Sequence, residues 1–273
     1  MLSSIEVASR IAHLSDVHLI APRSVRPLYG VRSRALRFGR TNDPSLRAKK
    51  LAAALRAVTA SGADHLVVSG DLTELGDDAE FELFAEVLAD AGLAPDDVTL
   101  VPGNHDAYTS ASGWTRALDG PLAEWEKTSA RPGEVRLVDR GPVAFVPIDV
   151  SRYQSVVWSG GELGKDVARA VDVLLADPAL AAKAIVLVLH HPPFPKHDTA
   201  AYRFVDSLRG SELVDELLRR HPNLHLLHGH FHRVVDRPRI FGAPGVADDV
   251  EGPRVRLYDV RDGRLESAGL FSG

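Results

Sequence analysis

The sequence predicts an α/β protein in which helices cover a sheet. Three observations predict it. The first half alternates short apolar runs with amphipathic segments in the order β-α-β-α-β, the pattern of a helix-covered sheet. The second half adds paired strand-like runs and further helical segments. No repeat or low-complexity linker divides the 273 residues, so one domain over 1–273 is the simplest organisation.

In chain order, "RIAHLSD" (10–16) reads as a strand ending in polar residues. "DPSLRAKKLAAALRAVTASG" (43–62) reads as a helix, with Pro near its start, Leu and Ala at helical spacing and Gly at its end. "DHLVVSGD" (64–71) is a short apolar run and hence a buried strand. "DDAEFELFAEVLADAG" (77–92) is an amphipathic helix stopped by Gly92, and "DVTLVPGN" (97–104) is the next strand. "EVRLVDRGPVAFVPID" (134–149) reads as two adjacent strands joined at Arg140-Gly141-Pro142. A helix is expected over 161–177, a strand over 184–194, a helix over 211–221 and a strand over 223–232. The end, 253–271, alternates and reads as a hairpin turning at Asp262-Gly263.

Composition narrows the function. Apolar residues make up 45% and charged residues 25%, the balance of a soluble globular chain rather than a disordered one. A net charge of -5 argues against nonspecific nucleic-acid binding. The absence of cysteine excludes thiolate metal sites and thiol nucleophiles and fits a cytoplasmic protein. No signal peptide is expected from the first residues, and no transmembrane run is seen. "SGGELGKD" (159–166) resembles a phosphate-binding loop but has Ser159 and Asp166 where Gly and Ser or Thr are needed. No G-x-S-x-G elbow supports a serine hydrolase.

One segment stands apart. Residues 21–50 hold nine Arg or Lys against one acidic residue, with Leu28, Tyr29, Val31, Leu36 and Phe38 interleaved. It reads either as a solvated insertion at about 21–45 or as a basic, partly apolar flap that meets an anionic lipid or membrane surface.

The chemistry collects at strand ends. Asp16 and His18 follow the first strand, Asp71 the second, and Asn104 and His105 the third. His190 and His191 follow a later strand, and His228, His230 and His232 another. Ligands of open α/β sheets gather at such carboxyl ends. Carboxylate, imidazole and amide oxygen suit Mn, Fe, Zn or similar divalent ions. There are more donors than one ion needs, so two ions follow naturally.

"DVH" (16–18), "GD" (70–71), "GNHD" (103–106), "HH" (190–191) and "GHFH" (229–232) stand in the order found in the calcineurin-like metallophosphoesterases, which the chain resembles over residues 11–232. The resemblance implies a four-layer α/β/β/α sandwich and a hydrolase that cleaves phosphoesters with two divalent metal ions. It implies that Asp16, His18 and His232 hold one metal, that Asn104, His190 and His230 hold the other, and that Asp71 bridges them. It further implies that His105 sits over the phosphate as a catalytic residue, with Asp106 orienting and charging its imidazole, while Gly103 gives the backbone room to turn. His191 is then a pocket residue and His228 structural; His13, His65, His221 and His225 match no motif. Relatives often carry Asp where this chain has Glu74.

The motif order is shared with a bacterial phosphodiesterase branch acting on cyclic nucleotides and glycerophosphodiesters. The Arg-rich insertion is similar to that of bacterial enzymes splitting the pyrophosphate of UDP-2,3-diacylglucosamine, which would place the protein at the membrane periphery. A noncatalytic binding module and a nuclease of the same fold are the remaining readings.

Overall fold

The structure is a computed structural model, and it describes residues 7–22, 41–155, 157–197, 199 and 205–273. Residues 23–40, most of the expected basic insertion, lie outside the described residues. The elements begin with β1 (Ser9–Leu14), α1 (Pro44–Ala60), β2 (His65–Ser69), α2 (Asp78–Asp90), β3 (Val98–Val101) and α3 (Gly113–Asp119). Then come β4 (Val138–Asp139), β5 (Val143–Pro147), β6 (Gly161–Glu162), α4 (Lys165–Leu175), β7 (Ala184–Val188) and β8 (Leu208–Arg209). The chain closes with α5 (Ser211–Arg220), β9 (Leu224–His228), β10 (Val235–Arg237), β11 (Ile240–Gly242), β12 (Val255–Arg261) and β13 (Arg264–Phe271).

The local chemistry sets the boundaries. Asp43 caps α1 by accepting from the Ser45 and Leu46 amides, and Pro44 occupies the first turn, where its missing N–H costs nothing. Asp77 caps α2 through the Ala79 amide. The β12–β13 hairpin turns on Asp262 and Gly263, both at positive φ (47° and 69°), as a two-residue hairpin loop requires. The helix expected over 161–177 starts later, at Lys165, because Gly161 and Glu162 pair with β8 instead.

Among the described residues two large sheets form, ordered β13-β12-β1-β2-β3 and β10-β11-β9-β7-β5-β4, and β6 with β8 makes a third of two strands. Strands β1, β2 and β3 run parallel in the first sheet, and β5, β7, β9 and β11 in the second. Alternation divides each central strand between two cores. Ala12, Leu66, Val68 and Leu100 pack with Leu51, Leu55, Phe81 and Phe84 of α1 and α2. Ile11, Val67 and Val101 face the other way and meet Phe145, Val186, Val188 and Leu227 of the second sheet. Ala144, Ile185, Leu187 and Leu226 in turn pack against Val171 of α4 and Val214 and Leu217 of α5. Because both faces of both sheets are apolar, the stack is helix, sheet, sheet, helix, the four-layer α/β/β/α sandwich. Among the described residues no helix is long and apolar enough to cross a membrane.

Candidate metal centre

The carboxyl ends of β1, β2 and β3 meet those of β7 and β9 across the sandwich. The Asp16 amide donates to the Gly70 carbonyl at 3.0 Å, and the Gly229 amide to the His190 carbonyl at 3.1 Å. Each strand ends abruptly there. Asp16, His18, Asp71, His230 and His232 all have positive φ, between 51° and 68°. Left-handed backbone is uncommon outside glycine and tends to mark sites where geometry outweighs local strain. Here it turns each side chain back over the strand ends.

One group comprises Asp16, His18, Asp71 and His232, each offering an atom within 4.8 Å of all the others. His18 Nε2 stands 3.3 Å from His232 Nε2 and 3.7 Å from Asp71 Oδ2. His232 Nε2 lies 3.1 Å from Asp16 Oδ1. The Asp71 carboxylate also faces the second group, with Oδ2 3.3 Å from His190 Nε2. The His190 ring lies 5.2 Å from that of His230. His191 joins those two rings in the second group of donors, and Asn104, expected there from the sequence, follows β3. Its Nδ2 donates to Tyr108 Oη at 2.7 Å, while its buried Oδ1 has no hydrogen-bond partner.

Other groups fix the orientation of these ligands. The Ser69 carbonyl takes His190 Nδ1 at 2.7 Å, so Nε2 faces Asp71. Asp248 holds His232 Nδ1 at 2.5 Å, and Asp206 holds His230 Nε2 at 2.8 Å, which leaves Nδ1 as the nitrogen that ring could offer an ion. Such partners fix the tautomer and sharpen the basicity of the opposite nitrogen.

The residues fit a cation. Burial raises the Asp71 carboxyl, but the His190 and His105 imidazoles outweigh it and hold it well below its usual range. Burial lowers His190, yet Asp71 and Asp16 raise it further, to about 9. The carboxylates therefore demand positive charge at this point, and a proton on His190 answers that demand. Divalent metals displace such protons from imidazole ligands. The orphaned Asn104 oxygen, a neutral hard donor, points to the same kind of ligand.

The sequence profile described as calcineurin-like phosphoesterase matches residues 9–234. The chain belongs to the calcineurin-like phosphoesterase family. No curated protein matches it by sequence. Among solved structures, a dimetal phosphatase from Danio rerio superposes with a TM-score of 0.68 at 16% identity, covering 97% of each chain. The purple acid phosphatase PPD1 from yellow lupin (Lupinus luteus) seeds gives a TM-score of 0.56 at 10% identity, over 97% of this chain and 52% of its own. A putative 5'-nucleotidase from Staphylococcus aureus gives 0.51 at 12% identity, over 96% and 53%. At these identities the likeness is one of fold.

Within this calcineurin-like site, His105 and Asp106 part company. His105 is half-buried, edge-on to the His18 ring at 4.4 Å, and its Nδ1 meets the Glu74 carbonyl at 2.7 Å. Asp106 does not orient it. One Asp106 oxygen accepts from the Leu72 and Gly103 amides, and the other from the Thr73 amide and hydroxyl, all within 2.7–3.1 Å. The cause is local. Residues 105–107 form a turn of 3-10 helix, in which successive side chains diverge by about 120°. Burial and Asp71 push the Asp106 carboxyl up, to about 7, against the pull of those donors.

Asp206, Asp248 and Tyr108 were not among the sequence candidates, since no motif marks them. His191, expected in the pocket, packs 4.4 Å from the His230 ring and binds the Ser159 carbonyl through Nε2. His228 bonds the Gly229 carbonyl, His13 joins Ser69 to Tyr258, and His221 pairs with Asp172 at 2.8 Å.

Proposed function

We propose that the chain is a phosphohydrolase that uses two divalent metal ions, of Mn, Fe or Zn, to cleave a small phosphoester, with a phosphodiester as the favoured substrate. One observation carries the reading: the Asp16–His18–Asp71–His232 group adjoins a second group of His190, His191 and His230, with Asp71 Oδ2 3.3 Å from His190 Nε2, and the nearby Asn104 keeps a buried amide oxygen with no hydrogen-bond partner among the described residues. Asp16, His18 and His232 would hold one ion, Asn104, His190 and His230 the other, with Asp71 between them. Two such cations supply a nucleophile at neutral pH and neutralise phosphoryl charge. The chain's own residues do the rest. His105, held through Nδ1, presents Nε2 as a proton donor toward the phosphoryl or leaving-group oxygen. Asn104 adds no negative charge beside an anionic substrate.

The test is hydrolysis of bis-p-nitrophenyl phosphate by metal-stripped protein resupplied with Mn, Fe, Zn, Co or Mg. Turnover with at least one is expected, and none with any of them overturns the reading. The nine basic residues over 21–50 favour a second version, a lipid-linked pyrophosphate met at a membrane surface. Liposome co-sedimentation of the wild type against a deletion of 25–40 tests it, and equal, negligible binding removes it.

A further inference from the structure

Glu74 is where the chain departs from the usual Asp. Its carboxylate is buried, 1% exposed, and so is the Arg47 guanidinium opposite it. Burying an ion pair costs more desolvation than the pair commonly returns, so its geometry should reveal a use. Glu74 Oε2 lies 3.2 Å from Arg47 Nη1 and 3.8 Å from His18 Nδ1. Since His18 Nε2 is directed at His232 and Asp71, Nδ1 is the nitrogen that faces away from the metal position, toward Glu74. At 3.8 Å the contact is electrostatic rather than a hydrogen bond, and a carboxylate at that distance favours the proton on Nδ1 and the lone pair on Nε2. Arg47 fixes the carboxylate. The same Nη1 donates to the His18 carbonyl at 2.6 Å, and Nε donates to the Thr41 carbonyl at 2.8 Å. The backbone of residue 74 ties in as well: its amide donates to the Leu19 carbonyl at 2.8 Å.

We infer that Glu74, clamped by Arg47 of α1, is a positioning residue that aims His18 and so sets the metal affinity of the Asp16–His18–His232 group alone. The inference rests on the two-metal reading above. The longer Glu side chain matters because one oxygen must reach both Arg47 and His18. Asp would withdraw it from both by about the length of one C–C bond. Through the Thr41 contact, the same clamp joins the chain's exit from the 23–40 segment to the metal group.

The test is a Mn²⁺ titration of the metal-stripped full chain, read by calorimetry and by the electron paramagnetic resonance of free Mn²⁺. Wild type should bind two equivalents; binding none overturns the two-metal reading itself. Glu74→Gln, which keeps the shape and removes the charge, should weaken one equivalent about 10–100-fold and change the other less than about threefold. Glu74→Asp should fall between, and serves with Arg47→Lys if the glutamine variant does not fold. In a His18→Ala background, which lacks the aimed ring, Glu74→Gln should change nothing further. Two wild-type affinities in Glu74→Gln, equal weakening of both, or an undiminished effect in the His18→Ala background each overturn the inference.

Discussion

At the residue scale, the GNHD turn divides its labour differently from the order of its letters. On the proposed function His105 touches substrate, while Asp106 is a bolt between the β2 and β3 loops. The two should fail differently. His105→Ala is expected to lower kcat by about 10²–10⁴ with two Mn²⁺ still bound, whereas Asp71→Ala loses turnover and metal together. Asp106→Asn turns an acceptor of four donors into a group with an NH₂ that faces amides. It should cost about 1–3 kcal/mol of stability in urea unfolding. An Asp106→Asn protein of full stability with a shifted pH–rate profile would instead restore a direct role beside His105.

At the element scale, the site exists because parallel strands from two sheets end at one place and loops fold back sharply. Gly103 serves this by proximity rather than by turning, since it lacks the positive φ seen at Gly70, and a Cβ on it would strike the Asp71 amide and carboxylate. Gly103→Ala is therefore expected to cost about 1–3 kcal/mol and to weaken Mn²⁺ binding by displacing Asp71. Gly164→Ala, whose Cβ meets nothing, loses only the advantage of Gly over Ala at the α4 N-cap, about 1 kcal/mol, and should keep both ions. Equal behaviour of the two variants refutes the argument. The same elements show what a sequence can carry. β1, β2, β3, β7 and β9 have four or five buried residues each, long enough to read as apolar runs, and their polar ends exposed most of the candidate ligands. β4, β6, β8, β10 and β11 have two or three residues; β4 was legible as the partner of β5 in the paired run over 134–149, whereas only tertiary partners make strands of the other four. Asp206 and Asp248 were invisible for a related reason: one lies in a bend before β8 and the other ends a single 3-10 turn before β12, and each meets its histidine only after the chain has folded.

At the scale of the whole molecule, the sandwich buries imidazoles that have nothing to do with metal. His65 lies between the sheets, stacked on Phe145 at 4.3 Å and bonded through Nε2 to Thr99 at 2.9 Å. Burial, with Arg140 adding repulsion, lowers it to about 3. Burial also lowers His225 to about 4, and its Nε2 accepts from the Leu265 amide. His13 is lowered well below its ordinary value by the same cause. These rings stay neutral when folded, while in the unfolded chain they take a proton near pH 6.5. The unfolded state therefore binds more protons below that pH, and stability falls as pH drops through 6.5 toward the folded values. At pH 5 the loss is about 2 kcal/mol for each such ring. Carboxylates lowered by surface partners, such as Asp139 beside Lys183 and Asp259 beside Arg10, act in the same direction but only nearer pH 4. Asp106 and Asp149, raised by burial to about 7 and about 6, take up protons in the folded state over the same range and oppose this loss, so the change between pH 7.5 and 5 is the net of buried histidines against buried carboxyls. Urea midpoints at those two pH values, with a chelator present to remove any metal-coupled proton, read that net for the wild type, and a histidine variant isolates one ring's share. His65→Gln, which keeps a partner for Thr99 but cannot titrate, should show a slope smaller by about one proton; an unchanged slope would mean that His65 is already protonated in the folded protein.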